Sequence, residues 1–170
     1  DAVKAAVQAA WNQDTMGMPT EYMEFSENDS ILVQPFSTAD DKVSRIYLDV
    51  TKTTLSAVVL DSAAYALYKE PTRFNEGLQL YKVTGEMILG PAVSNAFTVG
   101  EKKYQNFLYG AIELTADAEK AVLPGVNYDT AGTRTVLDLS DYINIDATTV
   151  IIPDSYNIGA ADLLAKFKAA

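Results

Sequence analysis

The chain has 170 residues, 48% of them hydrophobic, and a formal net charge of -10 from 23 acidic and 13 basic residues. That is one domain of ordinary size, able to bury a core without disulfide or metal. The charge disfavours phosphate backbones and anionic membrane surfaces, and the absence of histidine and cysteine excludes thiol chemistry, disulfides, ordinary zinc sites and a Ser-His-Asp triad within the chain.

No apolar run approaches the ~18 residues of a membrane-spanning helix. The chain begins at Asp1 rather than Met. This reads either as a processed N-terminus or as a numbering choice.

Residues 1–12 predict an amphipathic helix or arm. Val3, Val7 and Trp11 recur every four positions with Ala6 and Ala10 beside them, while Lys4, Gln8 and Asn12 fall on the other face. Gly17 and Pro19 stop it. Ile31–Val33 predicts a short strand that Pro35 places at an edge or an end. Val43–Val50 alternates, with Ile46, Leu48 and Val50 on one side and Arg45, Tyr47 and Asp49 on the other. Leu55–Leu60 reads as a strand covered on both faces. Ser62–Lys69 fits a short helix after Asp61, favoured by its three alanines, or a strand with Ala63, Tyr65 and Leu67 on one face.

Leu78–Val83 and Glu86–Leu89 flank Thr84-Gly85 and predict a hairpin. Ala96–Val99 and Tyr104–Leu114 predict two further strands, the second long and aromatic. Pro124-Gly125 predicts a type II turn. Thr135–Leu139, Tyr142–Ile145 and Thr148–Ile152 predict strands. Residues 160–169 predict a C-terminal helix with Leu163, Leu164 and Phe167 on its apolar face and Lys166 and Lys168 near its negative end. The expected fold is mainly β: a single-domain antiparallel β-sandwich or barrel over residues 1–170, jelly-roll-like in its strand spacing, with short N- and C-terminal helices.

Nothing in the sequence carries a catalytic constellation. There is no GxSxG elbow, GxGxxG loop or GxxxxGK[ST] motif. Two acidic clusters leave a carboxylate-dependent glycosidase as the enzymatic alternative: Glu21, Glu24 and Glu27, and Asp138, Asp141 and Asp146. Both clusters also fit a solvated face. No cofactor is expected. Calcium is the cation that oxygen ligands alone would suit, and its candidate ligands are Asp138, Asp141 and Asp146; Asp40-Asp41 sits in a loop, and no EF-hand spacing occurs. Asn28-Asp29-Ser30 is a glycosylation sequon that matters only on a secretory route.

The ten tyrosines are the distinctive residues, because tyrosine suits half-wet positions and protein interfaces. The candidate interface residues are Val3, Val7, Trp11, Tyr47, Tyr104 and Tyr109. The expected function is a non-enzymatic, self-assembling structural subunit of a virion (capsid, coat or decoration protein). The alternatives are an exported filament, pilus or surface-layer subunit, and a carbohydrate-binding or adhesive β-sandwich module. The expected partners are further copies of the chain and other structural proteins, with no direct nucleic acid and no membrane insertion. The expected location is a virion or a cell surface.

Overall fold

The computed structural model describes residues 2–26, 30–70 and 84–138. The strands expected at Leu78–Val83, Tyr142–Ile145 and Thr148–Ile152 and the C-terminal helix expected at 160–169 lie outside those residues, as do Glu27, Asn28, Asp29, Asp141 and Asp146. The protein is mainly β, with antiparallel sheets and a few short helices.

The first sheet is built from β1 (Met18–Pro19), β2 (Glu24–Phe25), β3 (Ile31–Ser37), β4 (Val43–Asp49) and β5 (Ala57–Leu60). Both β1 and β2 pair with β3, followed by β4 and then β5. The alternation expected in β4 is present, and both of its faces are covered. On one side Ile46, Leu48 and Phe36 are buried with Val7 and Met16. The cover there is helix α1 (Ala2–Ala10), whose Val3, Ala6 and Ala10 pack on the same cluster with Trp11. Trp11 stacks on Phe36 with ring centroids 6.4 Å apart, and its indole N–H donates to the Gly17 carbonyl at 2.9 Å. A second short helix, α2 (Gln13–Met16), follows because the Asn12 side chain accepts from the N–H groups of Asp14 and Thr15.

On the opposite face Ile31, Tyr47 and Leu60 join a second cluster with Ala64 and Tyr68 of α3 (Ser62–Lys69), Leu89 of α4 (Gly85–Leu89), and Phe107 and Ile112. Phe107 and Ile112 belong to the second sheet: β6 (Phe97–Val99), β7 (Lys102–Phe107), β8 (Gly110–Glu113) and β9 (Val122–Pro124), paired in that order. Helix α5 (Ala118–Ala121) leads into β9. A ribbon of β10 (Val126–Tyr128) and β11 (Arg134–Val136) completes the described strands. Among the described residues no sheet closes into a barrel.

Three expectations are corrected. Pro35 lies within β3 rather than ending it, and β3 is flanked on both sides. The proline is tolerated because it sits opposite the break between β1 and β2. There the Pro35 carbonyl accepts from Thr20 N–H at 3.2 Å, and the buried Gln34 amide bridges Glu21 O and Pro35 O at 2.8 and 3.1 Å. Tyr104–Leu114 is not one strand but the hairpin β7–β8, turning at Leu108-Tyr109. Glu86–Leu89 is helical in α4, with Leu89 buried. The Pro124-Gly125 turn is present, with Gly125 at φ 73; it carries the chain from the second sheet into the ribbon.

Side-chain amides join the layers. The buried Gln105 donates to the carbonyls of Val59 and Ser94, each at 2.9 Å, and Asn95 accepts from Val59 N–H at 2.7 Å. The N–H and C=O of Val59 on edge strand β5 are therefore occupied by Asn95, which precedes β6, and by Gln105 of β7, which blunts that edge. Asn106 exchanges hydrogen bonds with the backbone of Tyr128, and Asn127 donates to Phe107 O and Gly110 O, so the ribbon is held to β7 and β8 by amides that imitate strand pairing.

Candidate functional site

A cleft of about 540 Å³ lies where the β1–β2 segment, the face of β3 and β4, helix α3 and helix α4 meet. Strand alternation supplies its floor, because Arg45 and Tyr47 point to the same face of β4. Helix α3 begins at Asp61, whose carboxylate accepts from Ala64 N–H at 2.8 Å. It then presents Tyr65 and, one turn later, Tyr68 and Lys69. Helix α4 contributes Glu86 and Met87.

Arg45 organises these groups. Its guanidinium donates to Glu86 at 2.6 Å and to the Tyr47 hydroxyl at 3.3 Å. It also lies over the rings of Tyr65 and Tyr68, 5.0 and 5.8 Å from their centroids. Lys69 donates to the second oxygen of Glu86. The Tyr68 hydroxyl donates to the Gly90 carbonyl at 2.8 Å, and its ring stacks on Phe107 at 5.1 Å. One carboxylate thus joins two cations across α3, α4 and β4.

The ionisation behaviour follows. Burial pushes the Glu86 carboxyl up, but the hydrogen bonds and charges of Lys69 and Arg45 outweigh it and hold it below the usual carboxylate range. Burial pushes Arg45 down, and its Tyr47 and Glu86 partners overcome this, leaving it firmly cationic. Burial raises both Tyr47 and Tyr68 above the ordinary phenol value, so both stay protonated. These groups are set to hold a charge pattern, and the two cations of the floor are already paired with Glu86.

A carboxylate depressed on folding stabilises the native state above its unfolded pKa, and that contribution is lost as pH falls through the folded value. Glu86→Gln therefore gives a shallower loss of stability below about pH 4.5 than the parent shows. Asp49, held low by its hydrogen bond from Thr51, and Asp129, held low by backbone N–H groups of its turn, keep the slope from vanishing. Urea titrations at a series of pH values check this; parallel curves for the two proteins count against it.

The cleft gathers some of the sequence candidates and leaves others apart. Tyr47 and Tyr109 both line it. Val3, Val7 and Trp11 lie on the opposite face of the first sheet, packed on their own chain. Tyr104 is buried on β7 and stacks on Tyr128 at 4.3 Å. Glu21 and Glu24 line the cleft rim with Glu86 deeper in. Asp138 is exposed just past β11, and among the described residues no group of three carboxylates is placed to hold a metal ion. No described helix is long and apolar enough to cross a membrane.

The residues that sequence reasoning missed are Arg45, Tyr65, Tyr68, Lys69 and Glu86. The tyrosine count pointed at their type but not their meeting place. Comparison with protein-family models, curated proteins and solved structures finds no match to the chain.

Proposed function

We propose that the chain is a non-enzymatic structural subunit that associates with copies of itself, of the kind that builds a virion as capsid, coat or decoration protein. The observation that carries the reading is the apolar rim of the cleft. Tyr22 is 92% exposed and Met87 73%, and both line the cleft. Large apolar side chains gathered around a concave site, with Tyr and Met prominent, are the composition of a protein interface.

The site's chemistry supports association over catalysis. Arg45 and Lys69 share the carboxylate of Glu86, and the tyrosines beside them stay protonated. A preassembled ion cluster under an apolar rim gives a rigid platform for docking. The shared cluster of Tyr47, Leu60, Phe107 and Ile112 supports a sandwich-like stacking of the two larger sheets. The choice of a virion over other assemblies rests on the single β-rich domain, the acidic charge and the tyrosine content.

Size-exclusion chromatography with light scattering, followed by electron microscopy, tests this. The parent associates in a concentration-dependent manner. Tyr22→Ser with Met87→Ser shifts it toward monomer at unchanged melting temperature, because both side chains are solvated in the single chain. A parent that stays monomeric at high concentration overturns the reading.

A further inference from the structure

We propose that a second groove, which meets the cleft only at Tyr47, binds a neutral sugar. Among the described residues the two hollows share no other side chain. The inference therefore stands apart from the association reading.

The groove, of about 500 Å³, lies where the end of the first sheet approaches the second. That volume is within the range of small-ligand sites. Strand alternation builds one wall. Tyr47 and Asp49 lie on one face of β4, and Val58 of β5 pairs with Tyr47. The loop at 50–56, between β4 and β5, adds Lys52, Thr54 and Ser56. The other side comes from Val93, from Leu108 in the β7–β8 turn and from Asn127 of β10.

The hydrogen-bonding groups of this lining decide the ligand. Lys52 Nζ lies 3.7 Å from Asp49 Oδ2, so the two charged groups of the described lining are already opposite each other. Asp49 accepts from Thr51 through Oδ1, and its carboxylate has acceptor capacity beyond those bonds. Asn127 commits its N–H groups to backbone carbonyls, among them Phe107 O and Gly110 O. Its side-chain oxygen accepts no hydrogen bond among the described residues. The hydroxyls of Thr54 and Ser56 are likewise without a hydrogen-bond partner there, and both residues are exposed. Two acceptors and two hydroxyls call for a ligand dense in O–H groups. Beside them Val93, 41% exposed, and Leu108 offer apolar surface, which suits the C–H face of a sugar ring. A phosphate ester would bring its charge against Asp49, and an apolar ligand would bury these polar groups without partners.

Titration of the full chain with the methyl glycosides of glucose, galactose, mannose and N-acetylglucosamine tests the assignment, read by saturation-transfer NMR and calorimetry. At least one binds saturably. The same sugars as immobilised oligosaccharides separate the two sources: stronger binding of the oligosaccharide identifies a glycan chain as the ligand, and equal binding identifies the free sugar. Thr54→Val with Ser56→Ala weakens binding about tenfold or more. The melting temperature is unchanged, because both side chains are exposed. That variant also leaves association at the parent level, while Tyr22→Ser with Met87→Ser leaves sugar binding intact, so the two readings fail separately. Three results each overturn the assignment: no saturable binding of any of these sugars, binding confined to the anionic N-acetylneuraminic acid, or binding indifferent to the Thr54 and Ser56 substitutions.

Discussion

Gly17→Ala lowers stability by about 3 kcal/mol or more. Two effects add at this position. Gly17 sits at φ 74 and ψ -143, a region that is essentially glycine-only and costs another residue about 1–3 kcal/mol. A Cβ there would also lie 2.0 Å from Ser37 O and 2.4 Å from Ser37 C. Those are backbone atoms at the end of β3, so no rotamer change relieves the clash and the strand end must move. The residue is also where three elements meet. Its N–H closes α2 on Gln13 O, its carbonyl accepts from Trp11, and the next residue, Met18, pairs with Ser37. Gly125→Ala separates the two effects: Gly125 has φ 73 but nothing within 4 Å of its Cβ position, so it should cost only the backbone term of about 1–2 kcal/mol. Thermal melts of the two variants give the comparison. At roughly 2–4 °C per kcal/mol for a domain of this size, Gly17→Ala melts about 6–12 °C below the parent. Equal losses at the two positions would mean that the approach to Ser37 is not limiting.

The contrast between what the residues announced and what they concealed has a physical basis. Strand β4 was legible because Ile46 and Leu48 alternate with Arg45 and Tyr47, a period of two that only a strand produces. Helix α1 was legible from Val3, Val7 and Trp11. The hairpin at Leu108-Tyr109 was hidden because its turn residues are as apolar as the strands around it. Gly110, the glycine beside it, serves close packing, since a Cβ there would lie 2.5 Å from both Leu123 O and Leu89. Helix α4 was misread because five residues are too few to show a period, and its form depends on packing Gly85 and Leu89 into the core. The cleft was invisible for a simpler reason. Arg45 and Glu86 are 41 positions apart, and only the folding of α3 and α4 onto β4 brings them to one point. Local pattern fixes elements; it carries no record of which distant charges will meet.

Phe107→Ala costs about 3–5 kcal/mol, the range for emptying a fully buried aromatic site. Phe107 has no exposed surface and lies where the second sheet meets α3. Its ring stacks on Tyr68 at 5.1 Å with planes 17° apart. Tyr68 is packed between that ring and the Arg45 guanidinium, and its hydroxyl is tied to Gly90. Removing the ring therefore opens a cavity and also frees one side of the cleft floor. Phe107→Leu keeps most of the volume and loses chiefly the ring–ring contact, so its cost falls to about 1–1.5 kcal/mol. Chemical denaturation measures both, with an unchanged m-value confirming that the unfolded states are comparable. The pair of variants also bears on function. If the floor acts as a rigid platform, Phe107→Ala weakens association even under conditions where the protein remains fully folded, while Phe107→Leu leaves it near the parent. Association that is indifferent to both would place the docking energy on the rim alone, on Tyr22 and Met87, and leave the buried aromatic–cation stack a purely stabilising role.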